Sequence, residues 1–296
     1  MTYKDKLKES AQRVGNCVCM GLDPIQGALP YQSGDVGEDL KRFFNELLGE
    51  MVKKGLSPAA FKPNIGYYTL FDTPRQGEFR GSTALGELFN LLEEAFPGIP
   101  VILDSKRGDI ALSSANYASE AFDLYQSDAV TVSPYMGSDS VAPFGERGVA
   151  GKGFYLLNRT SNVGAKDLQG LNVVDHVDEK EIYPLYMAVA HRIGRYGEQW
   201  GNVGAVVGAT SLTELQELAD YYATREIPLL IPGVGSQGGS ATETVAILKE
   251  VDYPLYLARI NSSSGLTHPW KGGAVPKEWL DVSLSNLAAL IEECAL

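Results

Sequence analysis

Eight short apolar runs, separated by segments of helical periodicity, constrain the fold of this chain more than any other feature. Each run has the length of a buried strand. The runs are Cys17–Leu22, Ala59–Phe61, Val101–Leu103, Ala129–Val132, Phe154–Leu157, Val203–Val207, Leu229–Ile231 and Leu255–Ile260. Strands that alternate with helices form a parallel sheet, because parallel neighbours need a crossover between them. Eight such units predict an α/β fold, a (β/α)8 barrel.

Helical periodicity between the runs supports this prediction. Apolar residues recur at helical spacing in two sets, which are Leu40, Phe43, Phe44, Leu47, Leu48 and Met51, and Leu85, Leu88, Phe89, Leu92 and Phe96. Ser211 and Glu214 have the spacing of a capping box. The segment Lys180–Tyr196 supplies a helix between the fifth and sixth strands. No Pro/Ser-rich linker divides the chain, so residues 1–296 are predicted to form one domain.

The charge balance argues against nucleic-acid binding. The formal net charge is −12, with 37 acidic against 25 basic residues, and no Lys/Arg run is present. No apolar run approaches the roughly 18 residues of a membrane helix. The amino terminus is charged where a signal peptide would be apolar. We therefore expect a soluble cytoplasmic protein that contacts neither nucleic acid nor membrane.

Cysteine and histidine usage gives no indication of a disulfide framework or a zinc site. The three cysteines are too few for a framework, and we interpret them as buried structural thiols. His176, His191 and His268 are far apart in sequence and lack metal-ligand spacing. We expect no bound metal, and we assign no function to His191 or His268.

Polar residues or glycines follow most of the apolar runs. They are Asp23, Lys62, Asn64, Asp104, Lys106, Ser133, Asn158, Arg159, Gly208, Thr210, Gly233, Asn261 and Ser262. In a barrel these positions surround the carboxyl ends of the strands, where catalytic groups lie. Single polar residues also end strands for ordinary turn reasons. The lysines and aspartates of neighbouring strands are more informative, although a surface salt-bridge cluster is the alternative.

Asp104, Lys106 and Asp109 have the spacing D-x-K-x-x-D, and Lys62 comes from the preceding strand. Asp104 and Lys106 point the same way if extended geometry persists for two residues. Two cations and two anions in one pocket keep each other ionised, with pairwise terms of about 4 kcal/mol at contact. A lysine held between carboxylates stays protonated. Lys106 is therefore suited to donating a proton and unsuited to forming a Schiff base.

A glycine-rich segment, Pro232–Ser240, follows the seventh run and precedes a helical pattern. Barrel enzymes often bind phosphate in the loops after strands seven and eight. Glycines let the backbone approach an anion closely, and the amide of Gln237 can donate a hydrogen bond. The glycines are Gly233, Gly235, Gly238 and Gly239. The placement predicts a phosphate-binding loop.

Taken in order, the motifs resemble those of the orotidine 5′-phosphate decarboxylase family in its longer bacterial form. The resemblance covers nearly the whole chain. It rests on GLDP (Gly21–Pro24), FKPN (Phe61–Asn64), LDSKRGDI (Leu103–Ile110), PYMGSDSVAPF (Pro134–Phe144), RTSNVGAKD (Arg159–Asp167), VVGAT (Val206–Thr210) and PGVGSQGG (Pro232–Gly239). D-x-K-x-x-D alone marks a wider group of barrel enzymes.

The resemblance implies a homodimer of (β/α)8 barrels that converts orotidine 5′-phosphate to UMP and CO2, the last step of de novo UMP synthesis, without metal or organic cofactor. By this resemblance Asp104 lies beside the substrate carboxylate, and Lys106 protonates C6. Lys62 contacts the ribose and begins the charged array. Asp109 corresponds to an aspartate that reaches across the dimer into the partner's site.

The same resemblance implies the remaining substrate contacts. Asp23 corresponds to a second ribose contact, and Ser161 to a serine that hydrogen-bonds the pyrimidine. Ser113 takes the position of a family threonine, on the helix after the D-x-K-x-x-D motif. Gln237 corresponds to a glutamine that binds the phosphate, in the loop shaped by Gly235 and Gly238.

Two positions depart from the family pattern. Ser264 stands where an arginine usually binds the phosphate, and Val163 replaces a usual proline. Losing a charge-assisted fork weakens phosphate binding by about 1.5–3 kcal/mol unless another cation substitutes. The candidate substitutes are Arg159, Arg259 and Lys271.

Two other functions are open alternatives. Related barrels with D-x-K-x-x-D are Mg²⁺-dependent sugar-phosphate decarboxylases or aldolases, which need further carboxylates where this chain has Lys62. A catalytically inactive nucleotide-binding barrel is the second alternative, and Ser264 is the feature that favours it.

Overall fold

Eight parallel strands form a nearly closed barrel in the computed structural model, which describes residues 1–175, 181–235, 237–270 and 272–296, the backbone alone at 175 and 181. Those eight are β1 (Val18–Gly21), β2 (Ala60–Lys62), β3 (Ile102–Arg107), β4 (Ala129–Val132), β5 (Gly153–Arg159), β8 (Val203–Val207), β9 (Leu229–Ile231) and β10 (Ala258–Ser262). Two further strands, β6 (Asn172–Asp175) and β7 (Glu181–Pro184), form a separate antiparallel pair. The barrel order is β2-β1-β10-β9-β8-β5-β4-β3. The predicted (β/α)8 barrel is confirmed.

Helices precede, connect and follow the barrel strands. They are α1 (Tyr3–Val14), α2 (Val36–Lys54), α3 (Gly66–Thr69), α4 (Arg80–Ala95), α5 (Ala111–Ser119), α6 (Ser138–Gly145), α7 (Leu185–Trp200), α8 (Leu212–Ala223), α9 (Ala241–Glu250), α10 (Ser264–Thr267) and α11 (Trp279–Glu293). In α2 the Asp35 side chain accepts from two amides of the first turn, and left-handed Gly55 ends the helix. Its buried face is the apolar set that the periodicity predicts.

The barrel closes between β2 and β3 through few backbone contacts. Two isolated bridges join these strands, Phe61 to Val101 and Asn64 to Asp104. The Phe61 amide donates to the Pro100 carbonyl at 3.0 Å, and the Asp104 amide donates to the Pro63 carbonyl at 2.9 Å. This seam brings together the strand ends that carry Lys62 and Asp104.

Helix α1 packs against the barrel near the amino-terminal end of β10. The fully buried guanidinium of Arg259 donates to the Leu7 carbonyl at 2.6 Å and to Ser10 Oγ at 2.8 Å. It also donates to carbonyls of its own segment. Arg259 therefore lies at the end of the barrel opposite the carboxyl ends of the strands. The prediction that it could bind the phosphate is wrong.

Three local predictions are wrong. Residues 181–184 pair with 172–175 as an antiparallel hairpin, so the helix predicted from Lys180 begins only at Leu185. The eighth strand begins at Ala258, because Leu255–Leu257 form a 3₁₀ turn. Ser211 occupies the N-cap position of α8, but its side chain makes no capping bond, and Glu214 pairs with Arg159 instead.

The cysteine prediction is confirmed, since Cys17, Cys19 and Cys294 are all buried free thiols. Within the described ranges, no helix combines the length and the apolarity needed to cross a membrane. His176, Lys180 and Lys271 lie outside the described residues.

Candidate active site

A cavity of about 570 Å³ opens at the carboxyl ends of the barrel strands. Its floor is apolar and is formed by Leu157, Val206 and Leu230 from three strands. Its walls carry the charged residues that the sequence places at strand ends, which are Asp23, Lys62, Asp104 and Lys106. The barrel topology thus gathers residues far apart in sequence into one site, as parallel strands do.

A second cavity, of about 670 Å³, lies near the amino-terminal helix and is larger. Its polar groups largely satisfy one another. Lys6 Nζ lies 2.8 Å from Asp128 Oδ1, and Lys152 Nζ donates to the Ser127 carbonyl at 2.8 Å. Because convergent catalytic groups identify a site better than size does, we take the cavity at the strand ends as the candidate site.

Asp104 lies between two lysines. Its Oδ2 is 2.7 Å from Lys62 Nζ, and its Oδ1 is 2.6 Å from Lys106 Nζ. The side chains of Asp104 and Lys62 are almost fully buried, whereas that of Lys106 is 46% exposed. One carboxylate therefore holds a buried ammonium and a solvent-accessible one. An accessible ammonium fixed by a carboxylate can transfer a proton to a bound ligand.

Opposing influences set the ionisation of the buried pair. Burial raises the pKa of Asp104, but the charges of Lys62 and Lys106 outweigh it and hold that pKa well below the usual carboxyl range. Burial lowers the pKa of Lys62, but Asp104 and Asp23 outweigh it and raise that pKa above its ordinary value. Both groups are therefore charged at neutral pH.

The backbone departs from extended geometry at Lys106. Its φ is +50°, and the register between β3 and β4 shifts between Leu103 and Arg107. The expected extended geometry does not persist, yet Lys106 still reaches Asp104 because the backbone turns there. Thr131 on β4 takes part in this arrangement by donating to Asp104 Oδ1 at 2.7 Å.

Asp23 and Ser161 both line the cavity, as the sequence predicts. Asp23 Oδ1 accepts from the Asn64 amide at 3.1 Å, which fixes the carboxylate beside Lys62. Two glycines make room for Ser161. A Cβ on Gly208 would lie 2.8 Å from Ser161 Cα, and one on Gly233 would lie 2.9 Å from Ser161 Cβ.

The glycine-rich loop begins where β9 ends and leads into α9, whose N-cap is Ser240. Gly233, Gly235 and Gly238 have φ values of +100°, +81° and +96°, which residues other than glycine rarely adopt. The Gly238 amide donates to the Gly235 carbonyl at 2.9 Å and so folds the loop back on itself. Exposed Gln237 reaches the cavity from this loop.

Asp109 and Ser113 are not among the described residues that line the cavity of their own chain. Asp109 Oδ1 accepts from the Ile110 amide at 2.7 Å, at the entrance to α5. Ser113 follows on the first turn of α5, next to Leu112, which is 78% exposed. Their roles in a partner's site stay predictions.

The arginine candidates do not reach the cavity. Arg159 Nε lies 2.8 Å from Glu214 Oε2, and Arg159 Nη1 donates to the Thr160 carbonyl. Among the described residues, no arginine lines the cavity, whereas Ser264 and buried His268 do.

Sequence reasoning missed several residues that line the cavity, namely Thr131, Thr160, Asn162, Ser263 and His268. Thr131 lies inside an apolar run, where threonine is an ordinary strand residue. The position of His268 after the eighth strand was a signal that could have identified it.

Comparison with known proteins gives a consistent result. Residues 18–251 match the model of the orotidine 5′-phosphate decarboxylase / HUMPS family. The orotidine 5′-phosphate decarboxylase of Ralstonia pickettii is 38% identical over 252 residues, 85% of each chain. That of Variovorax paradoxus is 38% identical over 272 residues, 92% of each chain.

Solved structures agree. The OMP decarboxylase of Leishmania donovani is 32% identical with a TM-score of 0.70, over 99% of this chain and 100% of that one. The UMP synthase of the same organism is 33% identical with a TM-score of 0.72, over 98% of this chain but only 56% of that longer protein. The relatives also confirm the predicted class of enzyme, a carboxy-lyase. Since the family model and the relatives both span most of its length, the chain belongs to the orotidine 5′-phosphate decarboxylase family, as its motifs predict.

Proposed function

We propose that this chain decarboxylates orotidine 5′-phosphate to UMP and CO2 without a cofactor, as the last step of de novo UMP synthesis. The observation that carries the proposal is Asp104 held within 2.7 Å of both Lys62 and Lys106 in the wall of the cavity at the carboxyl ends of the strands. Relatives that are 38% identical over most of their length are named for this activity.

In the proposed reaction, Lys106 is the general acid. The bond between C6 and the carboxylate breaks, its electron pair stays on C6, and neutral CO2 leaves. The carbanion has no adjacent carbonyl to delocalise it, so the ammonium of Lys106 stabilises it electrostatically and then transfers a proton to C6. The partly exposed amine regains its proton from solvent.

Asp104 acts on the departing group. Its buried charge lies beside the substrate carboxylate and repels it, and this repulsion disappears when CO2 leaves uncharged. Together with Lys106, Lys62 keeps Asp104 ionised in a buried position, since its ammonium lies 2.7 Å away. The array therefore favours the transition state over the bound substrate.

Contacts remote from C6 supply binding energy. Gln237 and the loop of Gly235 and Gly238 bind the phosphate, and Ser161 binds the pyrimidine. Asp23 and Lys62 bind the ribose. Binding energy released at the phosphate is used to close the loops over the reacting ring.

We further propose a homodimer in which Asp109 and Ser113 complete the partner's site. Two large apolar side chains next to them in sequence, Ile110 and Leu112, are exposed. An exposed patch of this kind is typical of a protein interface. Burial against a second copy would bring Asp109 near the partner's cavity.

We also propose that residues 1–296 act as one domain in the cytoplasm. One hydrophobic core extends from Tyr3 in α1 to Cys294 after α11, which supports a single domain. Three free buried thiols are typical of a reducing compartment.

Two alternatives are less well supported. A Mg²⁺-dependent sugar-phosphate enzyme needs a cluster of carboxylates, but Lys62 occupies the site, and the described residues contain no group of three His, Cys, Asp or Glu placed to hold a metal. An inactive nucleotide-binding barrel would have no reason to keep Asp104 buried and charged.

The direct test is the absorbance change of orotidine 5′-phosphate on incubation with the purified chain, with and without EDTA. We expect turnover that EDTA does not affect. Activity that EDTA abolishes would support the metal-dependent alternative, and UMP binding without turnover would support the inactive barrel.

Lys106→Ala tests the proton donor. Loss of a general acid lowers kcat by about 10²–10⁴-fold, whereas UMP binding should change little because Asp104 and Lys62 remain. Turnover within tenfold of the parent chain would contradict the role of Lys106.

A further inference from the structure

We propose that Thr131 is a positioning residue that sets the geometry of the Asp104–Lys106 pair, an inference that rests on the proposed function. Thr131 lies on β4, is 1% exposed, and borders the cavity. Its hydroxyl is hydrogen-bonded both to the Asp104 carboxylate and to backbone amides of the D-x-K-x-x-D segment.

The hydroxyl of Thr131 uses its full hydrogen-bonding capacity. It donates to Asp104 Oδ1 at 2.7 Å and accepts from the amides of Ser105 and Lys106, each at 3.0 Å. A hydroxyl has one hydrogen and two lone pairs. Because the two amides occupy the lone pairs, the hydrogen must point to Asp104.

The two accepted bonds stabilise an uncommon backbone conformation. Lys106 has a φ of +50°, which a residue other than glycine adopts only when its surroundings impose it. The amides of Ser105 and Lys106 lie in the irregular part of β3, where the ladder register shifts. Thr131 supplies the acceptor for both amides and so holds the turn that directs Lys106 back toward Asp104.

The donated bond acts on the same carboxylate oxygen as the catalytic ammonium. Lys106 Nζ lies 2.6 Å from Asp104 Oδ1, the oxygen to which Thr131 donates. The other oxygen faces Lys62 at 2.7 Å. Thr131 thus fixes the rotation of the Asp104 carboxylate and the backbone of Lys106 together.

These contacts predict an effect on turnover rather than on binding. The hydroxyl has no remaining capacity for a ligand, so substrate affinity should not depend on it. A misplacement of about 1 Å in a reacting group can cost about 100-fold in rate. Removing the hydroxyl should therefore lower kcat by about 30–100-fold and leave KM and UMP affinity within about threefold.

Three variants isolate the hydroxyl. Thr131→Val keeps the shape and removes the oxygen, while Thr131→Ser and Thr131→Ala differ from each other by one oxygen. We expect the kcat of Thr131→Ser to stay within about threefold of the parent value. The kcat values of Thr131→Val and Thr131→Ala should both be lowered, and by a similar factor. If Thr131→Val does not fold, the comparison of Ser with Ala still tests the proposal.

Ser10→Ala is the matched control. Ser10 is also 1% exposed, and its hydroxyl contacts the Leu7 and Ala59 carbonyls and Arg259 at the opposite end of the barrel. Its loss should lower thermal stability without changing kcat. If Ser10→Ala lowers kcat as much as Thr131→Val, the effect is general destabilisation and the proposal is wrong.

Amide hydrogen exchange gives a readout that is independent of activity. In Thr131→Val the amides of Ser105 and Lys106 should exchange at least about tenfold faster, while that of Leu103 is unchanged. A parent chain without turnover would contradict the proposed function, and exchange would still report on Thr131. Unchanged exchange, equal kcat in the Ser and Ala variants, or a change in KM alone would overturn the proposal.

Discussion

At the scale of single residues, the site depends on a carboxylate that is buried and nevertheless charged. Asp104 is stabilised as an anion by two ammonium groups, one buried and one exposed. Removing one partner from such a group leaves the other charge without compensation in a poorly solvated position. Asp104 can therefore be both buried and charged only because Lys62 and Lys106 lie beside it.

Asp104→Asn should lower the free energy of unfolding by about 3–5 kcal/mol at pH 7, because Lys62 remains buried without its closest counter-charge. The pKa of Asp104 is lowered, so its contribution is complete above the ordinary carboxyl range and is lost as pH falls below about 4. The pKa of Lys62 is raised, so its contribution persists until pH rises above its ordinary range.

Urea unfolding of both chains from pH 3 to pH 9 measures this difference. It should be constant between pH 5 and pH 9 and shrink only at more acidic pH. A difference that stays constant down to pH 3 would show that the carboxyl pKa is not lowered, and one that grows between pH 7 and pH 5 would show that it is raised.

Ser264→Arg should strengthen phosphate binding, because Ser264 borders the cavity where no described residue contributes an arginine. A guanidinium fork adds about 1.5–3 kcal/mol, so KM for orotidine 5′-phosphate should fall by about 10- to 100-fold. Orotidine without phosphate is the control substrate, and its binding should not change. An unchanged KM would mean that another group already neutralises the phosphate.

The charged array could be predicted from sequence because its chemistry is local to each strand end. Asp104, Lys106 and Lys62 follow apolar runs, and barrel topology brings such positions together. Thr131 could not be predicted, since its role comes from a break in the register of the neighbouring strand. The direction of the Arg159 side chain could not be predicted either, because it is set by an ion pair with Glu214, a residue distant in sequence.

At the scale of elements, buried strands were predictable and exposed ones were not. Each of the eight barrel strands contains a short buried apolar segment, so their runs are visible in the sequence. The β6–β7 hairpin has exposed apolar residues such as Val174 and Ile182, and its pairing is set by contacts between segments. Ser211 does not cap α8, and Glu214, which would have completed the capping box, pairs with Arg159 instead.

Gly233→Ala should impair substrate binding through the glycine-rich loop. The added Cβ would lie 2.9 Å from Ser161 Cβ, so Ser161 must move, which would disturb the hydrogen bond that we propose it makes to the pyrimidine. Loss of that hydrogen bond should raise KM by about tenfold. Gly201→Ala is the control, because Gly201 also has a positive φ but has no atom within 4 Å of the added Cβ.

Steady-state kinetics and thermal unfolding of both variants separate the two effects. Each should lose about 1–2 kcal/mol of stability from backbone strain, and only Gly233→Ala should change KM. Equal KM values in the two variants would rule out the contact with Ser161.

At the scale of the whole molecule, the proposed homodimer is a surface question. Asp109 and Ser113 do not line the cavity of their own chain, and Ile110 and Leu112, their neighbours in sequence, are exposed. A two-fold dimer would present this surface to itself.

Mixing Asp109→Ala with Lys106→Ala chains tests the shared site. Each variant alone should be nearly inactive, but a mixed dimer contains one site with both residues intact. Random exchange of subunits should restore about a quarter of the parent activity. No recovery, with subunit exchange demonstrated by mass, would contradict a site built from two chains.

The position of the Lys62–Asp104 pair has a consequence for the mobility of the barrel. These residues belong to β2 and β3, the two ends of the strand order, where backbone bridges are few. The ion pair fastens the sheet into a cylinder at the place where it would otherwise open first. Transient opening of this seam would separate Lys62 from Asp104. The charged array is therefore intact only while the barrel is closed.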